Sequence, residues 1–391
     1  MTTAAASATP ERPLRALWLT ETYPPSRGGM AQSCDRIVRG LRRAGVLVDV
    51  LHFVPTARGG RPWVLEAQAA GRYLACPVED DPAHALNRAW TTLQAQPEAI
   101  THVVAFGGSR PIMAGPVLAA WLGVPLVTLI RGNDFDAAVF STRRRPILED
   151  ALERSALVIA NSRSKVERIA AMHPSTRTRW IANGIEAEWT LAPSDRAHAA
   201  AWRAQRGDRL TLGLFGQLKA KKGGVFLLDA LLRSGVADRF HLLLAGWMAP
   251  DMEAWLAEHD LEHTALPFLD RYELLPWYAA CDFIAIPSFY DGLPNVLVEA
   301  AALGVPLIAS RVDGMADVLT DGETAFLFDP GDEPRAAWAL QRAARLEPAQ
   351  RERMASACRQ LASTTLDGDR EIAGYVEALE QTRDGRLTAV R

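Results

Sequence analysis

No run in this chain constrains its fold more than DFIAIPSFYDGLPNVLVEAAALGVPLIAS, residues 282–310. It reads as strand, loop, helix, strand. The apolar stretch 282–287 suits a buried parallel strand, and 305–310 suits the next one. Pro294 suits the first helical position, where a missing N–H costs nothing. Gly304 is a good terminating residue after Ala302. Past the first strand two carboxylates stand in this unit, Asp291 in the loop and Glu299 in the helix, with seven residues between them. The loop amides of Gly292 and Leu293, with Pro294 and Asn295 opening the helix, favour an anion such as a diphosphate. Glu299, one turn further in, suits a diol such as a ribose. The bland reading of the pair is a solvated turn acid and an ordinary helix glutamate.

The rest of the chain repeats this βαβ logic twice over. The first half opens with a strand at 14–20, the loop ETYPPSRGG, a helix from Met30 to Ala44 and a strand at 46–54. Further strands are expected at 102–106, 125–130, 156–162 and 179–184. In the first helix Met30, Cys34, Val38 and Leu41 form an apolar stripe. Arg36, Arg39 and Arg43 share another face, read as solvated or as meeting an anionic acceptor or a membrane surface. Residues 186–208 are Ala-rich and charged and fit a linker with a short helix. The second half supplies strands at 210–215, 241–247, 264–269, 282–287 and 305–310. Strands alternating with helices predict parallel sheets covered on both faces, with ligands at their carboxyl edges.

Four other segments carry chemistry. LGLFGQLKAKKGG, residues 212–224, puts Gly216, Gln217 and Lys222 on a strand-to-helix turn. Taken alone it is a lysine-rich surface turn. Gly28 and Gly29 precede the first helix and permit close approach of a ligand. TLIRGNDFDAAVF, residues 128–140, follows a strand and offers Arg131 and Asp134 to a cleft, or uses them as a helix cap and its counter-ion. Trp247 in AGW stacks on a base or simply packs. Asp134-Phe135-Asp136 and Asp367-Gly368-Asp369 read as DxD, but neither comes with the further ligands a metal site wants, so no metal is expected.

The string PS-x-x-DG-x-P-x-x-x-x-EA-x-A-x-G-x-P, with the Lys222 turn and the Gly28–Gly29 turn, resembles the retaining GT-B glycosyltransferases of the family-4 type, the glycosyl transferases of group 1. The resemblance covers most of the chain, more strongly over 210–330 than over 14–190. It implies an α/β GT-B fold of two Rossmann-like domains facing each other across a cleft. It implies an N-terminal acceptor-binding domain at 13–190, a linker at 191–208 and a nucleotide-sugar domain at 209–368. A last helix, 369–391, would cross back to the first domain, and residues 1–12 read as a disordered tail. By the same resemblance Lys222 holds the donor diphosphate, Glu299 the ribose, and Asp291, where the family usually has Glu, the transferring sugar. Gln217 replaces a family arginine, and the loop with Arg131 lacks a family histidine. The implied substrates are a nucleoside diphosphate sugar, UDP- or GDP-sugar favoured, and a hydroxyl acceptor: glycan, lipid, natural product or small molecule. No further cofactor is implied.

Composition excludes other classes. A chain of 391 residues suggests two or three domains. A net charge of -3 gives no basic footprint for nucleic acid. Cys34, Cys76, Cys281 and Cys358 form no metal spacing, and reduced buried thiols in a cytoplasmic protein are expected. No apolar run reaches the ~18 residues a spanning helix needs, which leaves peripheral membrane contact open. Two alternatives stand beside sugar transfer: a nucleotide-sugar-binding protein that has lost transfer, motivated by Gln217, Asp291 and Arg131, and a nucleotide-sugar epimerase.

Overall fold

Long apolar runs set the strands of a computed structural model that describes residues 13–55, 64–78, 81–95 and 99–383. The expected tail, 1–12, and residues 384–391 lie outside the described residues. The first sheet holds β1 (Arg15–Thr20), β2 (Leu47–Pro55), β3 (Val64–Gln68) and β4 (Gly71–Val78). It continues with β5 (His102–Phe106), β6 (Leu126–Ile130), β7 (Leu157–Ala160) and β8 (Thr178–Trp180). Their spatial order is β3-β4-β2-β1-β5-β6-β7-β8. Only the β3–β4 pairing is antiparallel. Among the described residues the helices between its strands are α1 (Gly29–Arg43), α2 (Pro82–Gln94), α3 (Ser109–Leu122), α4 (Asn133–Asp136), α5 (Arg145–Arg154) and α6 (Arg163–Met172).

The second half begins within the stretch expected to be a linker. Helix α7 (Pro193–Ala204) forms there and buries Ala199 and Trp202 in the core around residues 275–284. The strands β9 (Leu210–Leu218), β10 (Phe240–Met248), β11 (His263–Leu266), β12 (Phe283–Ile286), β13 (Leu307–Ser310) and β14 (Ala325–Phe328) make the second sheet. Its order is β11-β10-β9-β12-β13-β14, and every recorded pairing in it is parallel. Between the strands run α8 (Gly224–Arg233), α9 (Pro250–Glu258), α10 (Leu275–Ala280), α11 (Asn295–Ala302) and α12 (Asp313–Val318). After β14 come α13 (Glu333–Ala344), α14 (Pro348–Thr364) and α15 (Gly368–Arg383).

Alternation along each strand fills both faces. In β10, Leu243 and Ala245 enter one core, while Leu242 and Leu244 enter the other. A strand buried on both sides is the mark of a parallel sheet between helix layers. Each fully buried leucine there contributes about 1.5–3 kcal/mol.

The two halves are joined twice, side by side. Ile185 N donates to Leu366 O at 2.8 Å and Gly368 N donates to Ile185 O at 3.0 Å. Helix α15 then returns to the first half, where Ile372, Tyr375 and Leu379 pack with Ile37, Val38 and Leu41 of α1. This contact takes Arg36 out of the solvated face expected of the α1 arginines. Arg36 is buried and forms an ion pair with Glu371 at 3.0 Å. Arg39 pairs with Asp35 at 2.9 Å and Glu186 at 3.3 Å, and Arg43 pairs with Glu188 at 3.4 Å.

Candidate active site

Strand β12 delivers the acid loop to the edge of the second sheet, beside the turn that carries the lysines. Phe289 N donates to Lys221 O at 3.0 Å, which ties loop to turn. Between them Gly223 has φ of +68°, and a Cβ there would stand 2.0 Å from Pro287 O. No other residue fits that backbone without displacing it. The turn aims Lys222 at Asp291, and Nζ forms an ion pair with Oδ2. The two side chains remain 26% and 16% exposed, so the pair borders solvent. Burial holds Lys221 below the usual lysine range, with Lys222 and Lys219 adding to the effect against Asp291. Lys219 donates to Oε1 of the exposed Gln217 at 2.8 Å.

Helix α11 starts one residue later than the sequence suggests. Pro294 is extended, φ -71° and ψ 141°, and occupies the N-cap position rather than the first turn. Its carbonyl accepts from Leu297 N at 3.1 Å. No side chain caps α11, and none caps α1, which starts after Gly28 with φ of +106°. The first amides of a helix have no partner within it. Asn295 brings these two helix starts together. Its Nδ2 donates to Gly29 O at 2.9 Å, and its Oδ1 accepts from Ser33 Oγ at 3.0 Å. Two uncapped helix N-termini, one from each half, therefore meet next to the Lys222–Asp291 loop.

Glu299 lies one turn into α11 and is 5% exposed. Its Oε2 accepts from Tyr278 OH at 2.7 Å, and its Oε1 stands 3.6 Å from Arg271 Nε. Burial pushes this carboxyl above the usual range, while Arg271 and Tyr278 act the other way. Arg271 is itself held by Glu186 at 2.8 Å and lies over the Trp189 ring at 4.6 Å. Tyr278 and Arg271 had no sequence signal as partners of Glu299; a buried tyrosine needs an acceptor, but nothing local says which. Trp247 stands opposite Gln217 in the β9–β10 register and is 53% exposed, so it does not simply pack. Phe268 and Tyr272 are also exposed, and Arg27 of the first half lies over Phe268 at 5.6 Å.

Arg131 and Asp134 reach this region by other means. The Asp134 carboxylate accepts from the amides of Arg131 at 2.8 Å and Gly132 at 2.6 Å. Burial raises its pKa above the usual range, and those two amides oppose the rise. The Arg131 guanidinium turns inward. It donates to Tyr375 OH at 3.0 Å and Asn183 Oδ1 at 2.6 Å, and lies over Phe106 at 5.3 Å. What Arg131 presents to the acid loop is its carbonyl: a Cβ on Gly292 would stand 2.5 Å from it. Asn183 in turn donates to Leu293 O at 2.5 Å. The DxD readings resolve differently. Asp136 faces Lys165 at 3.2 Å, and Asp367 accepts from Arg370 N at 2.8 Å at the start of α15. Among the described residues no group of three or more His, Cys, Asp or Glu is placed to hold a metal ion. A separate cavity of about 630 Å³, between α13, α14 and the start of β14, shares no residue with this cleft.

Two family models match the chain. Residues 27–189 match Glycosyltransferase Family 4, and residues 209–345 match Glycosyl transferases group 1. The chain is 29% identical to a D-inositol 3-phosphate glycosyltransferase of Thermobifida fusca over 298 residues, 68% of this chain and 67% of that one. It spans about half the length of other curated relatives it matches. Sucrose-phosphate synthase from Thermosynechococcus elongatus superposes with a TM-score of 0.79 at 19% identity, over 96% of this chain and 100% of that one. The Anabaena protein HepE in complex with UDP-glucose superposes with a TM-score of 0.72 at 21% identity, over 94% and 100%. At such identities these two likenesses bear on the fold, which is GT-B. No helix of the described residues is long and apolar enough to cross a membrane.

Proposed function

The chain belongs to the group 1, family-4 glycosyltransferases, and on that premise we propose that it moves a sugar from a nucleoside diphosphate sugar to an acceptor hydroxyl, with retention at the anomeric carbon and without a metal. The observation that carries this reading is the meeting of two uncapped helix N-termini, at Gly28–Gly29 and at Pro294–Asn295, beside the half-open Lys222. Helix starts and a lysine together suit a diphosphate.

Glycosyl transfer passes through an oxocarbenium-like state. The leaving diphosphate gains charge, and fixed donors that meet it lower the barrier. Lys222 exchanges Asp291 for the diphosphate, and the amides of Gly292, Leu293 and Asn295 with the Gly28–Gly29 turn complete the cradle. Asp291, freed from Lys222, contacts the sugar. Glu299, oriented by Tyr278 and Arg271, takes the ribose diol. Gly216 and Gln217 flank the diphosphate, and Trp247 offers its open face to the base. Arg131 and Asp134 act as positioning residues, since their polar groups are engaged by the protein. HepE holds UDP-glucose on the same fold, which favours UDP first. The Thermobifida relative's name places a phosphorylated inositol among the acceptors worth trying.

Calorimetry with UDP, GDP, ADP and TDP tests the site. One nucleotide should bind, and Glu299→Ala should abolish that binding. A well-placed charged hydrogen bond is worth about 1.5–3 kcal/mol, so Lys222→Ala should lower turnover roughly 10- to 150-fold. NMR of the product should show the donor's anomeric configuration. Binding without transfer across a broad acceptor panel would favour the non-catalytic alternative; no binding by any of the four sinks the reading.

A further inference from the structure

One fully buried lysine has no part in the transfer proposed above. Lys165 lies in the first turn of α6 and is 0% exposed. Its Nζ donates to the carbonyl of Asp291 at 3.0 Å. It also stands 3.2 Å from Asp136 Oδ2 and 3.1 Å from Asp313 Oδ2. An ammonium has three donors and no acceptor, and burying one without partners is prohibitive. Here one partner, Asp136, comes from the first half, and two, Asp291 and Asp313, come from the second. The surroundings reinforce the crossing. Arg168 pairs with Asp313 at 3.3 Å, and Arg163 N donates to Asp317 Oδ2 at 2.6 Å. Asp313 adopts φ of +40°, the one positive φ outside glycine among the described residues. Such a conformation persists where its surroundings over-determine it.

We propose that Lys165 is a positioning residue that fixes the backbone of Asp291 when the two halves are closed. The proposal rests on the functional reading above, in which Asp291 contacts the transferring sugar. Lys165 holds the carbonyl of that residue and Lys222 faces its carboxylate. The carboxylate can therefore leave Lys222 for the sugar by side-chain rotation alone, with its main chain anchored. If the halves part, Lys165 loses two of its three partners, so the anchoring belongs to the closed arrangement. A lysine serving only the fold of the first half would have no need of partners from the second.

The test compares wild type with Lys165→Met. Hydrogen exchange of a peptide covering 288–297 should quicken at least tenfold in the variant, with the core strands β9 and β12 unchanged. Turnover, read as release of the nucleoside diphosphate that wild type binds, should fall at least tenfold, while affinity for that nucleotide stays within threefold. Should Lys165→Met fail to fold, Asp313→Asn keeps the shape and tolerates the backbone angle. It should quicken exchange of the same peptide and lower turnover at least threefold. Wild-type exchange and turnover in a folded variant overturn the inference and leave the functional reading standing. A wild type that binds no nucleotide overturns both.

Discussion

Two lysines hold Asp291, one by its carboxylate and one by its carbonyl, and they are held very differently. Lys222 meets the carboxylate at the cleft, where the pair is 26% and 16% exposed. Lys165 meets the carbonyl inside the seam, at 0% exposure, against carboxylates that are 9% and 3% exposed. A pair that borders solvent is partly screened by it, so an incoming anion can displace it. Removing one partner of a buried pair costs about 3–5 kcal/mol, so that contact is kept. The same chemistry serves as an exchangeable contact in one place and as a fixed anchor in the other, and burial is what separates them. Arg131, with its guanidinium on Asn183 and Tyr375, stands on the anchored side.

The hardest blow to that division is Arg131→Ala. Two hydrogen bonds from a charged donor disappear, each worth about 1.5–3 kcal/mol. Stability in denaturant melts should fall by about 3 kcal/mol or more, with nucleotide affinity of the folded protein within threefold. Unchanged stability with a hundredfold loss of affinity would move Arg131 to the exchangeable side. Next comes His102, which is 0% exposed in β5 near Leu379 of α15. Burial pushes its pKa from 6.5 down to about 4. The unfolded chain therefore takes up a proton from about pH 6.5 downward while the folded protein does not. Stability from this group is complete above pH 6.5 and is lost as pH falls toward 4, by up to about 3 kcal/mol. His102→Gln should flatten the loss in unfolding experiments at pH 7.5 and 4.5. An equal slope in the variant would mean that this part of the seam does not exclude the proton.

The exchangeable side was more legible in the sequence than the anchored side. Lys222, Asp291 and the α11 start sit on short strand-to-helix turns, where Gly, Pro and spacing carry the signal. The structure brings Lys222 and Asp291 together across 69 positions because β9 and β12 are neighbours. The anchors depend on contacts that no local pattern encodes. Arg36 shares a helix face with Arg39, yet its partner Glu371 lies 335 positions away. Tyr278, in α10, and Arg271, in the turn before it, reach Glu299 from 21 and 28 positions away only through the tertiary fold. Lys165 carries no local signal at all, because its partners Asp291 and Asp313 come from the second half. The alternation of strands and helices predicts two parallel sheets, and the Ala-rich stretch reads as holding the short helix that α7 supplies, but β3, β4 and β14 are not foreseen.

The smallest effect sharpens the comparison from the exchangeable side. Gln217 is exposed at the end of β9, and among the described residues its side chain makes one hydrogen bond, accepted from Lys219 at 2.8 Å. Nothing buried depends on it, so Gln217→Arg should leave stability within about 0.5 kcal/mol, as surface changes do. If a diphosphate sits beside Lys222, the new guanidinium adds a charged, bidentate donor. Ordering the long side chain and repulsion from Lys219 take back part of that gain. Calorimetry should therefore show nucleotide affinity rising roughly threefold to tenfold, up to about 1.4 kcal/mol. An affinity that does not move would place the diphosphate away from β9 and leave its cradle to Lys222 and the two helix starts. A gain in affinity here, set against a loss of stability from Arg131→Ala, would separate the two sides by experiment, because only groups not already committed to the fold can be improved for a ligand.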